Sequence, residues 1–160
     1  MSDDIGLFEA IHTQRALRYI APDPIPNALI RKVLDAGIRA PNGGNQQRWR
    51  FVPVLILCCV QHDGSPSDIN RGASIYPAVQ NMLLAARGLG LASVLTTRPR
   101  RGFEREIKEL LKIPANVDTT ALLPLGYPMP GKRYGPTRRR PVEEVTFSER
   151  WDQPWEAATK

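Results

Sequence analysis

No uninterrupted apolar run in this chain approaches the ~20 residues that a membrane-crossing helix needs, so a membrane protein is not expected. Cysteine is equally scarce. Cys58 and Cys59 are the only two in 160 residues; being adjacent, they point to opposite faces of any strand and cannot form an ordinary disulfide with each other. Both are expected to be reduced and buried. Histidine numbers two, and His62 beside the cysteine pair does not provide the spaced pairs of a zinc site, so no metal is expected. The chain has no Walker loop, no nucleophile elbow and no Ser, His and acid grouping that reads as a triad. GLGLAS at 88–93 follows a helical pattern and carries Ser93 where the last glycine belongs, so it fails as a dinucleotide fingerprint. The start, MSDDIGLFEA, is acidic and has no charged-then-apolar leader, from which a cytoplasmic location is expected.

What is present describes a globular protein. A hydrophobic share of 42% and a charged share of 24% over 160 residues suit one well-buried core and one domain. The net charge of +6 is unevenly spread: residues 131–140, GKRYGPTRRR, hold Lys132, Arg133, Arg138, Arg139 and Arg140 and no acid. Outside that run the chain is close to neutral, so the basicity is local. Nucleic acid and a phosphate-bearing cofactor would both answer such a charge.

In chain order, Ser2 or Asp3 can cap a first helix with apolar positions Ile5, Phe8 and Ile11, ending near Gln14. Arg15 and Arg18 follow, and the prolines between Tyr19 and Pro26 make the next segment extended. Pro26 suits a first helical turn. Leu29, Ile30, Val33, Leu34, Gly37 and Ile38 form one apolar face of a second helix, which Pro41 stops. Residues 51–60, FVPVLILCCV, read as a single strand buried on both sides, with Pro53 as a member unable to donate to the ladder. The longest helix is expected over 73–88, with Pro77 confined to its first turn and Ile75, Val79, Met82, Leu83 and Ala86 facing inward. Residues 91–97 and 119–126 read as strands, and 103–112 as a charged helix burying Ile107, Leu110 and Leu111. From Tyr127 onward Pro128, Pro130, Pro136, Pro141 and Pro154 preclude regular structure over most of the length. The expected organisation is a core at 1–126 and a Pro-rich arm of the same domain at 127–160.

The loop at 41–51, PNGGNQQRWRF, concentrates side-chain amides. Gly43 and Gly44 let the backbone take positive φ or approach a ligand closely, while Asn45, Gln46 and Gln47 offer paired donors and acceptors of the kind a flat heteroaromatic ring needs. The same composition also makes an ordinary polar turn. As an ordered set the motifs say more. Gln14-Arg15-Ala16-Leu17-Arg18, PDPIP, APNGGNQQRW, GASIYPAVQNMLLAARGLGLASVLTT, LLPLGYP and RRRPVEEVTFSERW together resemble the nitroreductase family of flavoproteins, from about Leu7 to Trp151.

That resemblance implies an α+β protein with a three-layer α/β/α fold, a mainly antiparallel sheet and an extended C-terminal arm. It implies a homodimer that binds FMN at the subunit interface and uses NADH or NADPH to reduce a nitroaromatic, quinone or similar acceptor. The two half-reactions share one site, giving a ping-pong mechanism with no catalytic side chain. Carried over by residue, the segment Gln14, Arg15, Ala16 and Arg18 resembles the first phosphate and ribityl contact. Asn45 and Gln47 match the amide loop that meets the ring, and Thr96 and Thr97 fall near the flavin's reactive edge. Arg138 and Arg139 resemble the late basic residues that close on the phosphate. The basic run is then explained by the cofactor, and no nucleic-acid partner is expected. Trp151 and Trp155 on the arm are expected to dock on the partner subunit. Relatives often carry Arg, Ser and Pro where this chain has Gln14, Ala16 and Arg48. They also insert a long helical segment after the strand that follows Trp49, whereas here Trp49-Arg50-Phe51-Val52 runs directly into Pro53-Val54-Leu55-Ile56. The shortened middle raises the alternative of a flavin-binding protein without reductase turnover.

Overall fold

The strand Leu57–Gln61 (β2) opens with four buried residues, and a strand with no polar face has to be covered on both sides. A computed structural model, which describes residues 5–53, 55–65 and 69–155, shows how this is met. β2 pairs antiparallel with Trp49–Val52 (β1) on one side and with Val117–Leu122 (β4) on the other. Successive strand residues face opposite ways, so the adjacent thiols part. Cys58 joins Val33, Ile75, Val79 and Met82, contributed by the helices Asn27–Ile38 (α2) and Ile69–Gly88 (α3). Cys59 packs with Leu57 and Val117 against Ile107 and Ile113, on the side of the helix Glu104–Leu111 (α4). The sheet is therefore the middle of three layers, and the fold is α+β with antiparallel strand pairing. A second, two-stranded antiparallel pair joins Ala92–Ser93 (β3) to Leu125–Gly126 (β5). Both cysteines are free and buried, as expected.

Helices α2 and α3 meet closely because Gly37 has no side chain: the Met82 side chain lies where a Cβ would stand. Asn81 strengthens the contact by donating from Nδ2 to the Ala36 carbonyl at 3.2 Å.

Several local expectations are corrected. The strand expected over 51–60 is two strands and a turn: β1 ends at Val52 and β2 begins at Leu57. Pro53 sits in that turn, where no ladder bond is lost. Helix α3 begins at Ile69, so Pro77 lies inside it and not in its first turn. Its missing N–H removes the bond that would reach back four residues. Full burial of Ala78, Val79, Met82 and Ala86 holds the helix across that gap. The run at 119–126 splits into β4 and β5 at Pro124, and only Ala92 and Ser93 of 91–97 form a strand. On α4, Ile107 packs inward, whereas Leu110 is 79% exposed. The first helix, Leu7–Thr13 (α1), buries only Ala10 and leaves Leu7, Phe8 and Ile11 in solvent. Gly6 is its N-cap and makes no side-chain bond; Ser2 and Asp3, offered as caps, lie outside the described residues. Pro26 is the N-cap of α2, one position before its first turn.

From 128 to 155 the chain is irregular apart from a 3-10 turn at Val142–Val145. The Phe147 and Trp151 rings stand 4.9 Å apart, with Trp151 84% exposed. Among the described residues no helix is long and apolar enough to cross a membrane.

Candidate functional site

Extended backbone after α1 builds a strongly basic cleft. Leu17 is buried and its N–H donates to the Ser93 carbonyl at 3.0 Å, so its neighbours Ala16 and Arg18 are turned outward. The segment is stitched to the start of the arm. Ala21 N–H donates to the Tyr127 carbonyl at 2.8 Å, Met129 N–H donates to the Tyr19 carbonyl at 3.0 Å, and Ile20 bridges Pro128. Gly131, at φ 76°, then makes a turn that an L side chain would strain, and Lys132 N–H donates back to the Met129 carbonyl at 2.9 Å. That turn returns the chain to Tyr19, with Lys132 Nζ 4.5 Å from the ring centroid. The result is a cleft of about 430 Å³ that includes Arg15, Ala16, Arg18, Lys132 and Arg133 in its wall and no carboxylate. Among the described residues none of these four cations is ion-paired.

Tyr134 supports this wall from behind. Its hydroxyl donates to the Leu91 carbonyl at 2.7 Å and lies 3.4 Å from Ser93 Oγ. The Arg87 guanidinium lies 5.1 Å from the ring centroid, bonds Thr13 Oγ1 at 2.9 Å and pairs with Glu9 at 3.6 Å. Burial pushes the Tyr134 phenol above its ordinary value, although its bond to Ser93 pulls the other way. It is a neutral prop.

The carboxamide loop adopts a strained form. Gly44, Asn45 and Gln47 all take positive φ, at 56°, 51° and 49°. Glycine and asparagine accept this region readily, whereas Gln47 does so at a cost. Internal bonds hold the shape: Gln47 N–H donates to Asn42 Oδ1 at 2.9 Å, and Gln47 Nε2 donates to Asn45 Oδ1 at 3.3 Å. Asn45 and Gln47 are exposed. Asn42 and Gln46 line a smaller cleft of about 230 Å³ with Arg48, His62 and Arg71. Arg71 is anchored there by a 2.6 Å bond to Asp118.

Thr96 and Thr97 occupy a third place. Thr96 exchanges both backbone bonds with Leu122, at 3.0 and 2.8 Å, and its Oγ1 accepts the Arg98 N–H at 3.2 Å. Both threonines line a cleft of about 520 Å³.

One chain thus gathers Arg15, Ala16 and Arg18 in one cleft, presents Asn45 and Gln47 on a separate loop, and sets Thr96 and Thr97 in a third cleft; these clefts share no lining residue. Gln14 caps α1 through its N–H to the Ala10 carbonyl at 2.9 Å. Arg138 and Arg139 are exposed and do not line the basic cleft; Arg139 Nη1 donates to the Arg138 carbonyl at 3.1 Å. Lys132 and Arg133 line that cleft. The basic run announced all five cations equally, and only the Gly131 turn separates them. The cysteines are not nucleophiles. Burial, followed by the neighbouring Cys59, pushes the Cys58 thiol up to about 12. Burial chiefly raises Cys59 to about 11, with Lys108 opposing and Glu104 reinforcing. Both stay protonated at neutral pH.

A family model described as the nitroreductase family matches residues 11–56 and 59–127. The chain is 30% identical over 167 residues to a protein of Archaeoglobus fulgidus named NADH dehydrogenase/NAD(P)H nitroreductase, covering 88% of this chain and 96% of that one. A Methanothermobacter thermautotrophicus protein of the same name is 31% identical over 158 residues, with 81% and 82% covered. In structure, a nitroreductase from Desulfovibrio desulfuricans in complex with FMN superposes with a TM-score of 0.76 at 25% identity, over 90% of this chain and 96% of the other. The 167 aligned residues of the first relative exceed the 88% of 160 that they occupy here, so that relative has positions without a counterpart in this chain. The family match is itself interrupted at 57–58, where β2 begins.

Proposed function

Because this chain belongs to the nitroreductase family, we propose that it binds FMN and transfers hydride from NADH or NADPH to a nitroaromatic, quinone or similar acceptor. The two half-reactions alternate at one site, as a ping-pong mechanism requires. The observation that carries this reading is the basic cleft, where Arg15, Arg18, Lys132 and Arg133 converge without a carboxylate.

The donor set fits the cofactor. A phosphate dianion is matched by guanidinium forks and, less directionally, by an ammonium; both are present in one cleft. A planar ring with alternating donors and acceptors is matched by carboxamides, which Asn45 and Gln47 present to solvent. FMN, when bound, supplies the hydride chemistry. The chain's own residues bind and orient: Arg15 and Arg18 hold the phosphate, and Ala16 leaves room between them. Lys132 and Arg133 close the cleft from the arm, so the core at 1–126 and the arm at 127–160 work as one binding unit. Thr96 and Thr97 border the reacting end. Since the carboxamide loop and the basic cleft are apart in one chain, a second copy supplies the missing half, which makes the active unit a homodimer.

A second reading is favoured by the short turn between Val52 and Leu57, in a chain that has no counterpart for some positions of its Archaeoglobus fulgidus relative. A wall lost there would leave a flavin-binding protein without turnover. Purified protein separates the two. The reductase is expected to carry a yellow chromophore that NADH or NADPH bleaches without oxygen and that a quinone or nitroarene restores. Colour that neither reductant bleaches selects the binding protein, and protein that retains no FMN removes both.

A further inference from the structure

The cleft at Thr96 and Thr97 has a second character that its threonines do not explain. Its wall is Leu95, Thr96, Thr97, Arg98, Arg101 and Phe103. The turn Arg98–Arg100 is pinned through its middle: Pro99 is buried, while Arg98 and Arg100 on either side are exposed. Arg100 N–H donates to the Thr97 carbonyl at 3.1 Å, and Arg101 N–H to the Arg98 carbonyl at 2.9 Å. The guanidiniums are thus carried on a fixed base.

The nearby acids are committed elsewhere. Glu104 accepts from the Thr119 N–H and hydroxyl at 3.0 and 2.8 Å and lies 3.8 Å from Lys108. Glu106 and Glu109 both pair with Arg105, at 3.3 and 3.2 Å. Among the described residues, Arg98 and Arg101 have no carboxylate partner. Beside them Phe103 is 52% exposed, an aromatic face left in water. Two cations on a fixed turn, two hydroxyls and an open ring, around about 520 Å³, describe a pocket of ordinary small-molecule size. Its chemistry suits a planar ring that bears an anion, because guanidinium forks match a carboxylate and the phenyl face takes the ring.

We propose that this cleft is an anion subsite for the electron acceptor, whose preferred class is an aromatic acid: the carboxylate is held by Arg98 and Arg101 and the ring lies on Phe103. The proposal rests on the reading above in one respect, that Thr96 and Thr97 border the reacting end of bound FMN.

The test is a calorimetric titration of the purified full chain, its flavin content recorded by absorbance so that a failure of the cofactor reading shows separately. 4-Nitrobenzoate is compared with its uncharged analogue 4-nitrobenzamide. At low salt the acid is expected to bind about tenfold more tightly, a preference that shrinks as salt screens the exposed guanidiniums. R98Q/R101Q is expected to abolish the preference while leaving 4-nitrobenzamide binding unchanged. Equal binding of the two ligands by the wild-type protein overturns the proposal, whether or not the variant folds. So does a preference that survives in the folded variant. Should the variant raise the KM for NADH and leave 4-nitrobenzoate binding unchanged, the arginines belong to the phosphates of the dinucleotide, and the acceptor subsite is overturned.

Discussion

At the scale of single residues, the cations divide into those that fixed backbone holds in a cleft and those that merely share a basic sequence. Burial of Leu17 and its bond to Ser93 turn Arg18 outward, and Arg15 and Arg18 line the same cleft. R15A/R18A is therefore expected to weaken FMN retention by about 100- to 10,000-fold, since charge-assisted bonds to a phosphate contribute about 1.5–3 kcal/mol each when well formed and two are removed. R138A/R139A, which alters side chains outside the cleft, is expected to change retention less than threefold. Fluorescence recovery of released FMN during dialysis measures both, and equal losses would remove the distinction. Arg15 and Arg18 were singled out in the sequence through the family resemblance, and the fold puts both in one cleft. That Lys132 and Arg133 line this cleft while Arg138 and Arg139 do not was not legible there. It depends on a positive-φ glycine at 131 and on Tyr19, 113 residues before Lys132, a pairing that no local pattern contains.

At the scale of elements, helical periodicity and the buried run at β2 marked the main helices and a strand covered on both sides, because an element covered on one or both faces writes that cover into its apolar spacing; the three-layer order came from the family resemblance. Connections were harder to read. FVPVLILCCV is apolar throughout, so its division into two antiparallel strands was signalled only by Pro53, a residue that a ladder cannot use. Pro77 misled in the opposite sense: tertiary burial of α3 outweighs one missing bond. Strand β5 also carries a consequence for the site. At Gly126 the Ile20 side chain occupies the space a Cβ would need, and Ile20 lies two residues beyond Arg18 on the stitched segment. G126A is expected to cost about 1–3 kcal/mol, as overpacking in a fitted core does, and to weaken FMN retention by displacing that segment. Denaturant melts and flavin release measure the two effects. A variant that loses stability while holding FMN as tightly as the parent would show the segment to be independent of β5.

At the scale of the whole molecule, the carboxamide loop leads into β1, an edge of the three-stranded sheet, whereas the basic segment packs on Ser93 and on the chain after β5. The two halves therefore lie on different parts of one copy. Its surface is also suited to a second copy, with Leu7, Phe8 and Ile11 exposed on α1 and Trp151 exposed on the arm; apolar groups so arranged gain from burial. In a twofold dimer each site would join the basic cleft of one copy to the carboxamide loop of the other. R15A/R18A and N45A/Q47A chains are each expected to retain little FMN. Co-expressed and assorting at random, they form mixed dimers as about half of the population. Each mixed dimer has one site carrying both lesions and one carrying neither, so about a quarter of all sites regain tight FMN binding. If every contact came from a single chain, no mixture would restore any site, because each chain would bring its own lesion to its own cofactor. Flavin content per protein in the co-expressed pool, compared with that of each variant alone, distinguishes the shared site from the private one.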